Sequence, residues 1–88
     1  MIRAEPDHPT AAIRAAGQLG PALKALRQAH GWSQTELGRR VGLSQERIST
    51  IERQPERVTL GQLLTVLMAL DAQLRVERRA RAPALQAW

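Results

Sequence analysis

Residues 32–52 read WSQTELGRRVGLSQERISTIE, and the fold is decided in this stretch. Ser33 stands where a side-chain oxygen caps a helix, and Glu36, three residues on, completes the Ser-x-x-Glu pattern of a reciprocal capping box. Trp32 and Leu37 occupy the two positions of a hydrophobic staple, which sets the angle at which the chain enters the helix. Gly42 follows Val41 where the helix must stop at positive φ, a conformation open to glycine because it has no Cβ. Ser44 then caps a second helix, with Leu43 and Ile48 as its staple.

Helix, glycine turn, helix within about twenty residues is the helix-turn-helix pattern, whose second helix enters the major groove of DNA. The first of the pair is predicted over Gln34–Val41, burying Leu37 and Val41, with Gly38 beside that face admitting a close neighbour. The second is predicted over Gln45–Arg53. Ile48, Ile51 and the base of Glu52 share one side, while Glu46, Ser49, Thr50 and Arg53 share the other, flanked by Gln45 and Arg47. Mixed donors and acceptors suit the reading of base edges. An ordinary solvated face has the same composition; the turn before it favours readout.

Upstream, Leu19, Leu23 and Leu26 recur at helical spacing between Gln18 and His30. Pro21 belongs in a first turn, which puts the helix start near Leu19 or Gly20, and Gly31 ends it. Residues 1–17 form an arm with Pro6 and Pro9, in which Thr10 caps a short turn closed by Gly17. Arg3 and Arg14 read either as phosphate contacts or, as termini more often behave, as part of a solvated leader.

Downstream, Pro55 sets a loop, and Thr59 with Gln62 forms another box, with Val58 and Leu63 as a third staple. The fourth helix, Leu60–Leu70, carries a core stripe of Leu60, Leu63, Leu64, Leu67 and Leu70, widened by Val66 and Met68. A helix apolar on more than one face is buried on more than one side, and in a chain of 88 residues the second side is assigned to another subunit. After Asp71 the pattern alternates, Leu74 and Val76 against Arg75 and Glu77, which predicts a strand over residues 72–79. No second strand exists for it to join, so it is expected to pair with its own copy across a two-fold axis, the alternative being an extended tail. The predicted dimer interface is therefore Val66, Met68, Leu70, Leu74 and Val76. Residues 80–88 read as a flexible tail. Its Leu85 and Trp88 suit capture by a partner protein as well as a tryptophan lying on the domain's own surface or without a role.

Thirteen Lys and Arg, nearly all arginine, against eight Asp and Glu give a net charge of +5, which favours polyanions. The core must be aliphatic, because Phe and Tyr are absent. The absence of cysteine excludes disulfides, thiolate metal sites and a cysteine nucleophile. Neither a signal peptide nor an apolar run of membrane-spanning length is found, so a soluble intracellular protein is expected. His8 and His30 read as solvated, no nucleophile–base set or metal cluster can be assembled, and neither enzyme chemistry nor a cofactor is expected. The expected fold is all-α: a four-helix domain over residues 18–71, plus one dimerising β-strand.

Gln34, Leu37, Gly38, Gly42, Ser44, Ile48, Ser49, Ile51 and Glu52 together resemble the helix-turn-helix of the phage-repressor (Xre-type) family, and LKALRQAHGWSQ resembles its first helix and turn, so that the likeness covers residues 19–70. Gly38 replaces the alanine usual at its position. The turn HGWSQ, the loop ERQPERVTL, the leucine-rich fourth helix, the single strand and the terminal Trp88 are similar to HipB-type antitoxins, the DNA-binding halves of HipAB toxin–antitoxin pairs. That resemblance implies a homodimer that binds a palindromic operator, represses its own operon, binds a kinase-fold HipA-type toxin, and resides in the bacterial cytoplasm at the nucleoid. It implies base reading by Gln45, phosphate binding by Gln34, and phosphate and base contacts shared by Ser44 and Ser49; the residues themselves add Glu46 and Thr50, on the exposed face of the second helix, to the base contacts, and Ser33, Arg39, Arg40, Arg47 and Arg53, near that face, to the phosphate contacts. It also implies a buried salt bridge between Arg27 and Glu52. The start of the reading helix, SQER, departs from close relatives and implies a different operator. Two other readings stay open: a stand-alone regulator without a toxin, and an adaptor that has lost DNA binding, which the acidic Glu36, Glu46 and Glu56 would suit.

Overall fold

Ser33, Ser44 and Thr59 each cap a helix as expected, their hydroxyl oxygens accepting from the N–H of Glu36 (3.0 Å), Arg47 (3.0 Å) and Gln62 (3.1 Å). In the computed structural model, which describes residues 11–79, the elements are α1 (Ala16–Ala29), α2 (Gln34–Val41), α3 (Gln45–Arg53), a single 3₁₀ turn (Pro55–Arg57) and α4 (Leu60–Ala69). Residues 1–10 and 80–88 lie outside that range, and with them His8, most of the arm and the tail residues Leu85 and Trp88. Gly42 ends α2 at φ +74°, in the left-handed region its place required.

Only one half of each predicted capping box forms. The Glu36 carboxylate turns to Arg39 and Arg40, and the Gln62 amide oxygen accepts from Arg47 Nε at 2.7 Å. A guanidinium is the stronger donor, so it displaces the neutral backbone N–H as partner. The first helix also begins earlier than Pro21 suggested. Ala15 has no side-chain oxygen to cap it; Gln18 Oε1 instead accepts from the N–H groups of Arg14 and Ala15 at 2.6 and 2.9 Å. Gly17 therefore lies in the first turn rather than closing one, and Pro21 sits on the exposed side of the helix interior.

The core joins Leu23 of α1, Leu37 of α2, Ile48 and Ile51 of α3, and Leu63, Val66, Leu67 and Leu70 from the α4 segment. This corrects the division of α4. Val66, expected at the subunit interface, and Leu70, expected both there and in the core stripe, are each 1% exposed within the chain's own core, whereas Leu60 and Leu64, expected inside, are 60% and 40% exposed, and Met68 is 76% exposed. Leu60, Leu64 and Met68 follow one another at intervals of four and make a ridge beside the buried one. Among residues 72–79 the chain forms no strand of its own, since a strand is defined by a ladder partner. Arg75 and Glu77 do lie on one side, 3.7 Å apart, with Leu74 and Val76 exposed.

Gly20 marks the closest approach of α1 to α3: a Cβ there would overlap the carbonyl oxygen of Glu52. Gly38 is similar, its missing Cβ making room for the carbonyl of Leu43, so this turn is drawn tighter than the usual alanine would allow. Gly17, one turn from Gly20, has open space around it. Alanine at the two positions should act in opposite directions. Gly20→Ala should cost about 1–3 kcal/mol by forcing two helices apart, and Gly17→Ala should gain up to about 1 kcal/mol from helix propensity. Urea denaturation of the two variants checks this; a gain for both would mean that α1 is free to move away from α3.

Candidate nucleic-acid interface

The first turn of α3 is positioned from below by a buried ion pair. Arg27, on α1, donates from Nε to Glu52 Oε2 at 2.6 Å and from Nη2 to Glu52 Oε1 at 3.1 Å, a bidentate fork. Its third arm, Nη1, donates to the carbonyl of Trp32 at 2.8 Å and pins the turn before α2. The hydrogen bonding of its guanidinium to Glu52, aided by the Glu52 charge, holds the Arg27 pKa above the usual arginine value against the opposing effect of burial. Arg27 and Glu52 are thus brought together as the resemblance implied.

From Glu52 a chain of amides reaches the surface. Gln34 Nε2 donates to Glu52 Oε1 at 3.1 Å, and Gln45 Nε2 donates to Gln34 Oε1 at 2.6 Å. A carboxylate only accepts, so Gln34 must turn its NH₂ group inward and its oxygen toward Gln45. Gln45 in turn must spend one N–H on Gln34, which leaves its oxygen and its second N–H for a ligand. That remaining pair matches the N6 donor and N7 acceptor of adenine in the major groove. Gln34, expected on a phosphate, is instead half-buried and engaged at both ends of its amide.

The other candidate residues divide similarly. Glu46 is exposed on α3, and Ser49, half-buried, accepts from Arg53 Nε at 3.2 Å. The Thr50 hydroxyl donates back to the Glu46 carbonyl at 3.1 Å, so its hydrogen is already committed. Arg47 is half-buried and committed through Nε to Gln62. Ser33 and Ser44 serve as caps. Arg39 and Arg40 lie exposed on α2, each paired with Glu36 at 2.8 Å. The Arg39 hydrogen bond, then the charges of Arg39 and Arg40, hold the Glu36 carboxyl below the usual carboxylate range. Its contribution to stability is therefore in place at neutral pH and is lost as the pH falls through its folded-state value.

A stack that the sequence reading missed lies beside this face. The Trp32 ring has the Arg40 guanidinium 4.0 Å from its centre and the His30 imidazole stacked at 4.4 Å, 21° from parallel. The available signal was the four-residue spacing of Glu36 and Arg40, which puts both on one strip of α2 with the preceding tryptophan. His30 is also not merely solvated: Nε2 lies 2.8 Å from the carbonyl oxygen of Leu70.

Residues 23–76 match the helix-turn-helix family, and the chain belongs to that family, as an Xre-type domain. Within it the chain is HipB-like. It is 37% identical over 57 residues to the antitoxin HipB of Escherichia coli (strain K12); the alignment covers 65% of this chain and 65% of that relative, just under two thirds of its length. A solved HipA–HipB–O2–O3 complex superimposes with a TM-score of 0.74 at 31% identity, over 81% of this chain and 100% of that one. A HipB–O4 20mer complex gives the same TM-score of 0.74, identity of 31%, and coverage of 81% and 100%. No helix among the described residues is long and apolar enough to cross a membrane.

Proposed function

We propose that this chain is a HipB-type antitoxin: a homodimeric repressor that binds a palindromic operator, represses its own operon and binds a kinase-fold HipA-type toxin. The observation that carries the DNA half is the Glu52–Gln34–Gln45 chain, which delivers an amide of fixed orientation to the first turn of α3. Gln45 reads adenine, Glu46 accepts from cytosine N4, and Ser49 lies beside them. Arg39, Arg40 and Arg53 meet phosphates, their carboxylate and hydroxyl partners exchanged for stronger anions.

Pairing uses the outer ridge of α4, Leu60, Leu64 and Met68, continued by Leu74 and Val76. These side chains are exposed and apolar, and residues 72–79 take their missing ladder from the second copy. The two α3 helices then enter successive major grooves about 34 Å apart. For the toxin the support is the HipA–HipB complex among the structural neighbours, with Leu85 and Trp88 as the proposed anchors. The setting that follows is the bacterial cytoplasm, at the nucleoid.

Two variants test the DNA reading by gel shift on the gene's own upstream region at several salt concentrations. Gln45→Ala should lose about 1–3 kcal/mol of discrimination at one base pair while leaving binding to random DNA unchanged. Arg40→Ala should weaken all sequences alike and lower the salt slope by about one. Equal loss on specific and random DNA for Gln45→Ala would remove it from the reading surface.

A further inference from the structure

The last carbonyls of a helix have no partner within it. In α4 those of Val66, Leu67 and Met68 are answered by the backbone N–H groups of Leu70, Asp71 and Ala72, the chain turning through Asp71 at φ +58°. The carbonyl of Leu70, the residue that caps α4, is answered from another part of the molecule. His30, forty positions earlier, places Nε2 2.8 Å from it. A carbonyl only accepts, so Nε2 carries the hydrogen. The imidazole is held for this by its stack on Trp32, whose own carbonyl is pinned by Arg27. A rigid path therefore runs from the buried ion pair, through the turn before α2, to the point where the C-terminal segment departs.

We propose that His30 is a positioning residue for self-association: by holding the Leu70 carbonyl it sets the direction in which residues 72–79 leave the domain. In this way it sets the geometry in which two copies meet. The proposal rests on the two-fold pairing put forward above. Residues 73–79 are exposed throughout, so beyond Ala72, which packs on the core, the direction of exit is the only thing this domain can impose on them. A half-turn of error at Leu70 would carry Leu74 and Val76 to the wrong side of the ridge formed by Leu60, Leu64 and Met68. His30 adds a side-chain tie to the turn that the backbone N–H groups of Leu70, Asp71 and Ala72 also hold, and it is the tie that reaches this turn from α1.

Two variants separate the tie from the stack. His30→Phe keeps a ring for Trp32 and loses the donor, whereas His30→Gln loses the ring and keeps an N–H donor on a side chain of similar length. Sedimentation equilibrium of the full chain gives the dimer constant. Gel shift on the upstream DNA, whole and cut to one half-site, separates reading from pairing. For His30→Phe the expectation is an unchanged half-site affinity with a dimer constant weakened about tenfold, the scale of one to two neutral hydrogen bonds, and a matching loss on the whole site. His30→Gln should recover most of it. A residue that merely capped α4 would lower the melting temperature without splitting the two DNA readouts. The proposal is overturned if His30→Phe dimerises like the native chain, if half-site and whole-site affinities fall together, or if the native chain is a monomer. A native chain that dimerises but binds no DNA would sink the repressor reading instead, and sedimentation of the same variants would still decide the role of His30.

Discussion

Glu52→Ala should destabilise the domain by about 3–5 kcal/mol, a large share of the 5–15 kcal/mol typical of a whole folded domain. The side chain it removes is 5% exposed and receives both arms of the Arg27 fork and the amide of Gln34. Truncation leaves the Arg27 side chain, itself 9% exposed, inside the protein with no counter-charge. The cost is thus mainly that of an orphaned charge rather than the worth of the pair. It follows that Arg27→Met combined with Glu52→Leu should recover much of the loss, since two well-packed apolar side chains replace a buried ion pair at little net expense. Base preference should not return with it, because Gln34 then has no acceptor to orient it. Denaturant midpoints for the single and double variants test the first point, and the gel shifts the second. A Glu52→Ala protein within about 1 kcal/mol of the native one would mean that Arg27 finds water or another partner as readily as Glu52.

The second large effect is expected at Ile48. Its side chain is completely covered, at 0% exposure, on the underside of the helix that carries Gln45, Glu46 and Ser49. Ile48→Ala should cost about 2–5 kcal/mol, from lost burial and from the cavity left among Leu37, Ile51 and their neighbours. Ile48→Val, one methylene smaller, should cost about 0.5–1.5 kcal/mol. The core contains no phenylalanine or tyrosine ring to swing into the gap, so the larger cavity should relax little and the upper part of the range is expected. Thermal or urea unfolding of both variants gives the ratio; similar small losses for the two would mean that α3 collapses into the space, which would also move the reading surface.

Why some of this was legible in the chain and some was not follows from the reach of each interaction. Ser33, Ser44, Thr59 and Gly42 act on backbone within four residues of themselves, so the three caps and the turn could be read directly. The second halves of the capping boxes could not, because Glu36 and Gln62 had arginine donors available that the box pattern does not weigh. The faces of α4 were ambiguous for a geometric reason. Leu60, Leu64 and Met68 lie a fraction of a turn from Leu63, Val66, Leu67 and Leu70, and only the surface presented by the other helices decides which ridge turns inward. Arg27 and Glu52 are 25 residues apart and were paired only through the family resemblance. Nothing local distinguishes a histidine at the end of a helix from one that reaches a carbonyl forty residues away, so the neighbours of His30 in the chain predict only a solvated ring. The predicted strand needs a partner that a single chain does not contain.

The stack at the turn before α2 has an optical consequence. The chain has two tryptophans and no tyrosine or phenylalanine, so essentially all its near-ultraviolet absorption and emission comes from Trp32 and Trp88. Replacing Trp88 by phenylalanine leaves a single emitter, one placed between an arginine on the reading domain and the histidine that meets the exit of the C-terminal segment. The fold has thereby placed a fluorophore where the proposed DNA-reading side adjoins the segment proposed to pair with a second copy, so that both proposals can be tested by titration on the protein without a label.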